Sequence, residues 1–139
     1  MNNFYMFIGL PGSGKSTLAH KIGCVVYEAD MFFMREGVYQ YDVKLINEAH
    51  ELCFSNFKQC VYDNIDVAEA NTFITRWERK KYLEFAQKYN CNIHLMEVKT
   101  EYGSVHNVPD NVIDRMRRKY QPFDPNELWN YEATHKIID

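Results

Sequence analysis

One short stretch of the chain combines glycines, a lysine and a serine in a pattern that suits phosphate chemistry. Gly9–Ser16 reads Gly-Leu-Pro-Gly-Ser-Gly-Lys-Ser, which matches the spacing GxxxxGK(S/T). The glycines let the backbone curl, so that successive N–H groups can point inward at a polyanion. Lys15 can reach the β- and γ-phosphates of a nucleotide, and the Ser16 hydroxyl can ligate Mg²⁺. The pattern therefore predicts a site for ATP and Mg²⁺.

The residues on either side of this stretch provide the structural setting that it needs. Residues 4–8 form a continuous apolar run, typical of a parallel strand that is buried on both faces. Residues 17–22 have the apolar spacing of a short helix. A glycine-rich loop between a strand and a helix is the P-loop arrangement. The residues that we expect to bind the nucleotide are Gly9, Pro11, Gly12, Ser13, Gly14, Lys15, Ser16 and Thr17.

Polar residues follow two further predicted strands. Residues 24–27 are predicted to form the second strand, with Asp30 shortly after it, and Cys60–Tyr62 the third, which ends at Asp63 and Asn64. Ligand sites of parallel α/β sheets lie at the carboxyl ends of the strands. We therefore expect Asp30 to be the base that takes the proton of an acceptor hydroxyl. Asp63 is expected to bind Mg²⁺ directly or through water, and Asn64 to orient the substrate, unless these residues only cap turns.

Several arginines are candidates for neutralising phosphate charge. Arg115, Arg117 and Arg118 follow a glycine-containing segment, which predicts a lid over about residues 100–120 that brings arginines to the triphosphate. We assign catalytic roles to Arg115 and Arg118; a solvated basic helix face is the alternative interpretation. Arg35 could pair with a phosphate of the substrate.

The alternation of strands and helices predicts the fold class. It indicates a single α/β domain over residues 1–139, with a parallel sheet flanked by helices on both faces. Thr75 and Glu78 fit a capping box, which predicts that a helix begins there. Residues 92–99 are predicted to form a strand, and residues 128–138 are expected to add an edge strand or to pack on the surface.

Composition narrows the classes of partner. The 139 residues carry a net charge of −3, which argues against tight duplex binding but leaves room for a local basic groove. No apolar run approaches the ~20 residues of a membrane span, and no secretory signal is indicated. The sequence does not set the oligomeric state. Scattered cysteines without a CxxC motif predict reduced thiols and a cytoplasmic protein. These cysteines are Cys24, Cys53, Cys60 and Cys91.

Taken in order, the motifs of this chain resemble those of the P-loop kinases related to phage polynucleotide kinase, and the resemblance covers nearly the whole chain. The motifs are GLPGSGKS at 9–16, EAD at 28–30, GVYQYD at 37–42, LINEAH at 45–50, VYDNID at 61–66 and HNVPDNVIDRM at 106–116.

This resemblance implies a P-loop kinase fold and a set of roles. Lys15 and Ser16 would bind ATP and Mg²⁺. Asp30 would be the general base for a nucleic-acid 5′-hydroxyl. Asp63 and Asn64 would lie in the active site.

Two departures from the family concern arginines that contact phosphate. Phe33 stands where the family has an arginine three residues after its base, and Gly103 stands where the family has its lid arginine. We predict a kinase that acts on a hydroxyl acceptor, first of all a DNA or RNA 5′ end. A kinase for a small hydroxyl metabolite is the alternative that Phe33 favours. A second alternative, which Gly103 favours, is a nucleotide-binding module with little transfer activity.

Overall fold

A five-stranded, wholly parallel sheet forms the centre of the protein, as the strand–helix alternation predicts. The computed structural model describes residues 1–29, 34–35, 38–39, 45–101 and 109–139. The strands are β1 Asn3–Ile8, β2 Val25–Tyr27, β3 Met34–Arg35, β4 Val38–Tyr39, β5 Val67–Glu69, β6 Asn92–Val98 and β7 Ala133–Ile138. The helices are α1 Lys15–Lys21, α2 Ile46–Tyr62, α3 Arg76–Lys88 and α4 Asp110–Lys119, with a 3-10 helix at Pro125–Glu127.

The strand order places β1 in the middle of the sheet. The sheet runs β2-β5-β1-β6-β7, and β3 and β4 form a separate antiparallel pair. All four neighbouring pairs within the large sheet are parallel. The carboxyl ends of its strands therefore share one edge, where β1 leads directly into the P-loop.

Helices cover both faces of the sheet. On one face, Phe57 of α2 and Leu83 of α3 pack with Phe4 of β1 in the larger buried cluster. On the other face, Ala19 of α1 packs in a second cluster with Phe7 of β1. Because β1 is covered on both sides, its sequence is a continuous apolar run.

Local signals at several element ends are confirmed. The Thr75 hydroxyl accepts a hydrogen bond from the Glu78 N–H, and the Glu78 carboxylate accepts one from the Thr75 N–H, so the capping box is complete. Gly23 follows α1 with φ of 87°, in the left-handed region that glycine adopts without strain. The predicted edge strand is β7, which pairs with β6.

The predicted third strand is wrong. Cys60–Tyr62 forms the last turn of α2, where it continues the buried stripe that includes Phe57. The strand at this point of the sheet is β5, which begins only at Val67. Asp63 and Asn64 therefore precede a strand instead of following one, and they lie at the amino edge of the sheet, opposite the P-loop.

Candidate active site

The P-loop has a tight backbone that only glycine permits at several positions. The Gly9 N–H donates to the Thr72 carbonyl at 3.0 Å. A Cβ atom at Gly9 would lie 2.8 Å from the Val98 carbonyl oxygen, closer than real Cβ contacts come. Gly12 and Gly14 have φ of 82° and 87°, which bulky side chains avoid. The loop is thus held between the ends of β5 and β6.

The polar side chains of the loop are Ser13, Lys15 and Ser16. Lys15 is 8% exposed, and its Nζ donates to the Leu10 carbonyl at 3.5 Å, so the chain folds back over the loop. The Ser13 hydroxyl is buried and makes no hydrogen bond within the described part of the chain. A buried unpaired hydroxyl is costly, and a phosphate oxygen in the loop would satisfy it. These features fit a bound nucleotide phosphate.

Ser16 forms a contact that adds a carboxylate to the site. Its hydroxyl donates to Oε1 of Glu28 at 3.2 Å. Glu28 is the first residue after β2, at the carboxyl edge of the sheet. Hydroxyl and carboxylate oxygens are ligands that Mg²⁺ accepts. The pair Ser16 and Glu28 could therefore hold the metal that accompanies a nucleotide.

The segment after β5 connects the loop with its surroundings. The Asn71 side-chain oxygen accepts from the Ala29 N–H at 2.7 Å in a buried hydrogen bond. The neighbouring Thr72 binds Gly9 through its carbonyl and donates from its hydroxyl to Glu78 at 3.1 Å. This segment links the P-loop, the end of β2 and the start of α3. It fixes the backbone immediately before Asp30.

A groove opens beside this segment, between α2 and α3. It has a volume of about 500 Å³, and we call it the inner groove. Asn71 and Phe73 line it on the side of the P-loop, His50 lines it from α2, and Trp77 and Lys81 line it from α3. Aromatic rings, a cation and an amide thus surround a space that adjoins the phosphate loop.

Comparison with known proteins places this geometry in a family. Residues 4–103, which include the P-loop and all the sheet strands except β7, match a family model described as AAA domain. The chain belongs to this AAA domain family. Human NEDD4-binding protein 2 is 33% identical over 83% of the chain, which spans only 7% of the length of that relative.

Solved structures show the fold of this AAA domain. Kti12 of Chaetomium thermophilum, in complex with ADP-AlF3, superimposes with a TM-score of 0.69 at 11% identity, over 97% of this chain and 88% of that one. A chain of the Pnkp1/Rnl/Hen1 complex gives 0.59 at 15% identity, over 99% of this chain and 46% of that one. The predicted P-loop fold, a parallel sheet flanked by helices on both faces, is confirmed.

Two of the predicted site residues do not reach the P-loop. The Asp63 carboxylate accepts from the Gln59 side chain at 3.0 Å, one helical turn back. It caps the carboxyl end of α2, and Asn64 follows with φ of 56°. The expectation that Asp63 binds Mg²⁺ and Asn64 orients the substrate at the carboxyl edge is wrong, because the segment before them is helical.

Other predicted site residues have different outcomes. Asp30, residues 102–108 and the side chain of Arg35 lie outside the described residues. Arg115 and Arg118 are exposed on α4 and form no ion pair within the described part of the chain. Their catalytic roles stay predictions.

Arg117, on the same helix, pairs with carboxylates on both sides. It binds Glu101 at 2.7 Å and also Asp114. Its charge is therefore partly neutralised by neighbours, which sets it apart from the two other arginines of α4.

Sequence reasoning missed three residues at this edge. Glu28 directly follows the strand that was predicted to end at residue 27, but it was given no role; Asn71 became visible only once the position of β5 was known. Glu69, the last residue of β5, is fully buried, and neither carboxylate oxygen has a hydrogen-bond partner among the described residues. Burial raises the pKa of Glu69 well above its ordinary value, so this carboxyl favours the neutral form.

Two properties of the described residues bear on what this AAA domain binds. Among the described residues, no helix has the length and apolar character needed to cross a bilayer. The same residues contain no group of three His, Cys, Asp or Glu side chains that could hold a metal ion. Mg²⁺ at Ser16 and Glu28 would therefore need phosphate oxygens to complete its ligands. None of the four cysteines, all of which the structure describes, forms a disulfide.

Proposed function

We propose that this AAA domain transfers the γ-phosphate of ATP to a hydroxyl group, and that the hydroxyl is the 5′ end of a nucleic acid. One observation carries the proposal. The P-loop, with Lys15 and Ser16, and the segment that leads to Asp30 are fixed to each other through the Asn71–Thr72 segment. The P-loop and the backbone that ends at Ala29, one residue before the candidate base in the sequence, therefore share one edge of the sheet.

The donor half would act by positioning and by charge. Lys15 would bind the β- and γ-phosphates, and the buried Ser13 hydroxyl would donate to a phosphate oxygen. Mg²⁺ at Ser16 and Glu28 would neutralise the charge that develops on the phosphate oxygens. The similarity to a Kti12 structure that contains ADP-AlF3 supports a nucleotide in this loop.

The transfer itself needs one base and one leaving group. The acceptor oxygen would form a bond to the γ-phosphorus while the bond from that phosphorus to the β–γ bridging oxygen breaks. Asp30 would take the proton of the acceptor hydroxyl, and ADP would leave. Asn71 would position this base by holding the backbone of Ala29.

The inner groove supports a nucleic acid as the acceptor. Trp77 is 84% exposed and offers a ring face for a base, and Lys81 offers a cation for a phosphate. His50 and Asn71 add polar groups between these positions and the P-loop. The arrangement combines stacking and charge, as single-stranded nucleic acids require.

A small hydroxyl metabolite is the second candidate. The volume of the inner groove, about 500 Å³, falls in the range of small-molecule pockets. Glu51 and Glu78 also line it, and their carboxylates would suit an acceptor with several hydroxyl groups better than a polyanion.

The two candidates are separated by a labelling experiment. ATP labelled at the γ-phosphate is incubated with 5′-hydroxyl DNA, 5′-hydroxyl RNA and a panel of small hydroxyl compounds. We expect label on the nucleic-acid ends. Label on small compounds alone would replace the first candidate by the second, and ATP binding without any labelled product would contradict the transfer reaction.

The role of Asp30 can be tested with a matched pair of variants. Asp30→Asn should abolish transfer and leave ATP binding intact, because the amide cannot accept the proton. Asp63→Asn is the control, since Asp63 lies at the opposite edge of the sheet, and it should transfer phosphate at the wild-type rate. Wild-type turnover by Asp30→Asn would show that another group is the base.

A further inference from the structure

A second groove lies on the outer side of α3, next to the inner groove. Its volume is about 390 Å³, and we call it the outer groove. Trp77 lines both grooves, and Trp129 lines the outer one above the buried side chain of Leu83. The two tryptophans are 84% and 66% exposed, although tryptophan is highly buried on average. Two exposed tryptophans that line one groove make it a candidate interaction site.

The walls of the outer groove are held in place by buried polar contacts. Arg79 forms a two-pronged ion pair with Glu127, at 2.9 and 3.0 Å, and its third nitrogen donates to the Phe73 carbonyl at 2.6 Å. The backbone N–H of Trp129 donates to the side-chain oxygen of Gln87 at 2.9 Å. These contacts hold the backbone near the two indole rings in place, which lowers the entropy cost of binding a ligand between the rings.

The charge of α3 points to an anionic ligand. This helix carries five basic residues and two acidic ones, a net charge of +3, while the whole chain carries −3. In the outer groove, Glu127 is neutralised by Arg79, and Asp124 pairs with Arg76 at 3.2 Å. Lys80 also lines the groove; it is 71% exposed and forms an ion pair at 3.9 Å with Glu84, another lining residue. An exposed lysine thus lines the same groove as the two tryptophans.

We propose that the outer groove binds single-stranded nucleic acid, with bases stacked on Trp77 and Trp129 and a phosphate near Lys80. Only unpaired bases expose the faces that such rings need, so a duplex does not fit this arrangement. Trp77 connects the two grooves, so the strand would continue from the acceptor nucleotide in the inner groove. This continuity rests on the proposed kinase function, whereas strand binding to the outer groove does not.

Binding without ATP tests the groove by itself. A labelled DNA or RNA strand of about 12 nucleotides, within the usual site size of such surfaces, is titrated with the protein and followed by fluorescence anisotropy. Trp129→Ala should weaken binding about tenfold through the loss of one stacked base, and Trp129→Phe should retain most of the affinity. Equal affinity of wild type and Trp129→Ala, or failure of the wild type to bind either strand, would overturn the proposal and leave a protein segment as the occupant.

Salt dependence tests the contact at Lys80. Lys80→Ala should lower the slope of log affinity against log salt by about 0.7, the amount expected for one phosphate contact on a single strand. Lys136→Ala is the matched control, because Lys136 is an exposed lysine of β7, away from the groove, and the slope should not change. A slope that is unchanged in Lys80→Ala would contradict the placement of a phosphate there.

Turnover separates this proposal from the kinase proposal. If both hold, Trp129→Ala raises the KM for a strand of about 12 nucleotides. It leaves kcat, and the KM of a dinucleotide acceptor, unchanged. If strand binding depends on Trp129 but the protein labels no acceptor, the outer-groove proposal is supported and the kinase proposal is contradicted. If wild type and Trp129→Ala phosphorylate the strand with the same KM, the kinase proposal is supported and the outer-groove proposal is contradicted.

Discussion

The P-loop and the inner groove adjoin each other but are built in opposite ways. The loop is one contiguous stretch, Gly9–Ser16, whose shape follows from glycines at fixed spacing and from the strand before it. The groove draws its lining from α2, from the segment after β5 and from α3. The donor half of the proposed site is therefore encoded locally, whereas the proposed acceptor half depends on how distant elements pack.

The largest effect is expected in the loop itself. Lys15→Ala should abolish nucleotide binding or reduce turnover at least about 100-fold, because it removes a preorganised charge from the transferring phosphate. Isothermal titration with ATP and steady-state rates measure the two quantities. Lys21→Ala changes an exposed lysine at the other end of α1 and should bind ATP as the wild type does. Normal turnover by Lys15→Ala would mean that the loop is not the donor site.

A smaller effect is expected at the junction between the two halves. Asn71→Ala leaves the buried Ala29 N–H without its acceptor, which displaces the backbone before Asp30. We expect kcat to fall about tenfold, corresponding to about 1.4 kcal/mol, while ATP affinity stays nearly constant.

The matched variant at this position keeps the acceptor. Asn71→Asp retains an oxygen for the Ala29 N–H and should restore much of kcat. If Asn71→Ala and Asn71→Asp lose the same activity, the side chain has a role other than holding this backbone.

The last effect concerns stability and the buried carboxyl of Glu69 at the end of β5. Because the pKa of Glu69 is raised in the folded state, the folded protein keeps a proton that the unfolded chain releases above about pH 4.3. This contribution to stability is present at low pH and falls as pH rises toward the folded pKa, by at most about 1.4 kcal/mol per pH unit.

Glu69→Gln removes this pH dependence and keeps the size of the side chain. Its free energy of unfolding relative to wild type should increase between about pH 5 and about pH 8, measured by urea denaturation. Glu132→Gln, at an exposed carboxylate, serves as the control. A difference that does not vary with pH would show that Glu69 ionises normally.

These contrasts explain how far the sequence could predict the structure. The loop, β1, α3 with its Thr75 cap, and β7 follow from short-range patterns and are confirmed. A strand was wrongly predicted at Cys60–Tyr62 because a cysteine, a β-branched residue and a tyrosine suit a strand as well as the buried stripe of a helix. Only the whole helical stripe, which includes Phe57, distinguishes the two.

The position of β5 could not be predicted from the sequence for a related physical reason. β5 has three residues, and its last is Glu69, a residue type that is depleted in strands. Its burial depends on the helices that cover it, which no local pattern shows. With β5 at Val67–Glu69, Asn71 follows this strand at the carboxyl edge, whereas Asp63 and Asn64 precede it.

The contacts of Arg79 have a consequence for how a polymer would be handled. One guanidinium group is bonded to Phe73, which lines the inner groove, and to Glu127, which lines the outer groove. The spacing between the two grooves is therefore fixed by a single rigid, planar ion, which a lysine could not reproduce. If a strand occupies both grooves as proposed, this one side chain would hold together the walls that contact it.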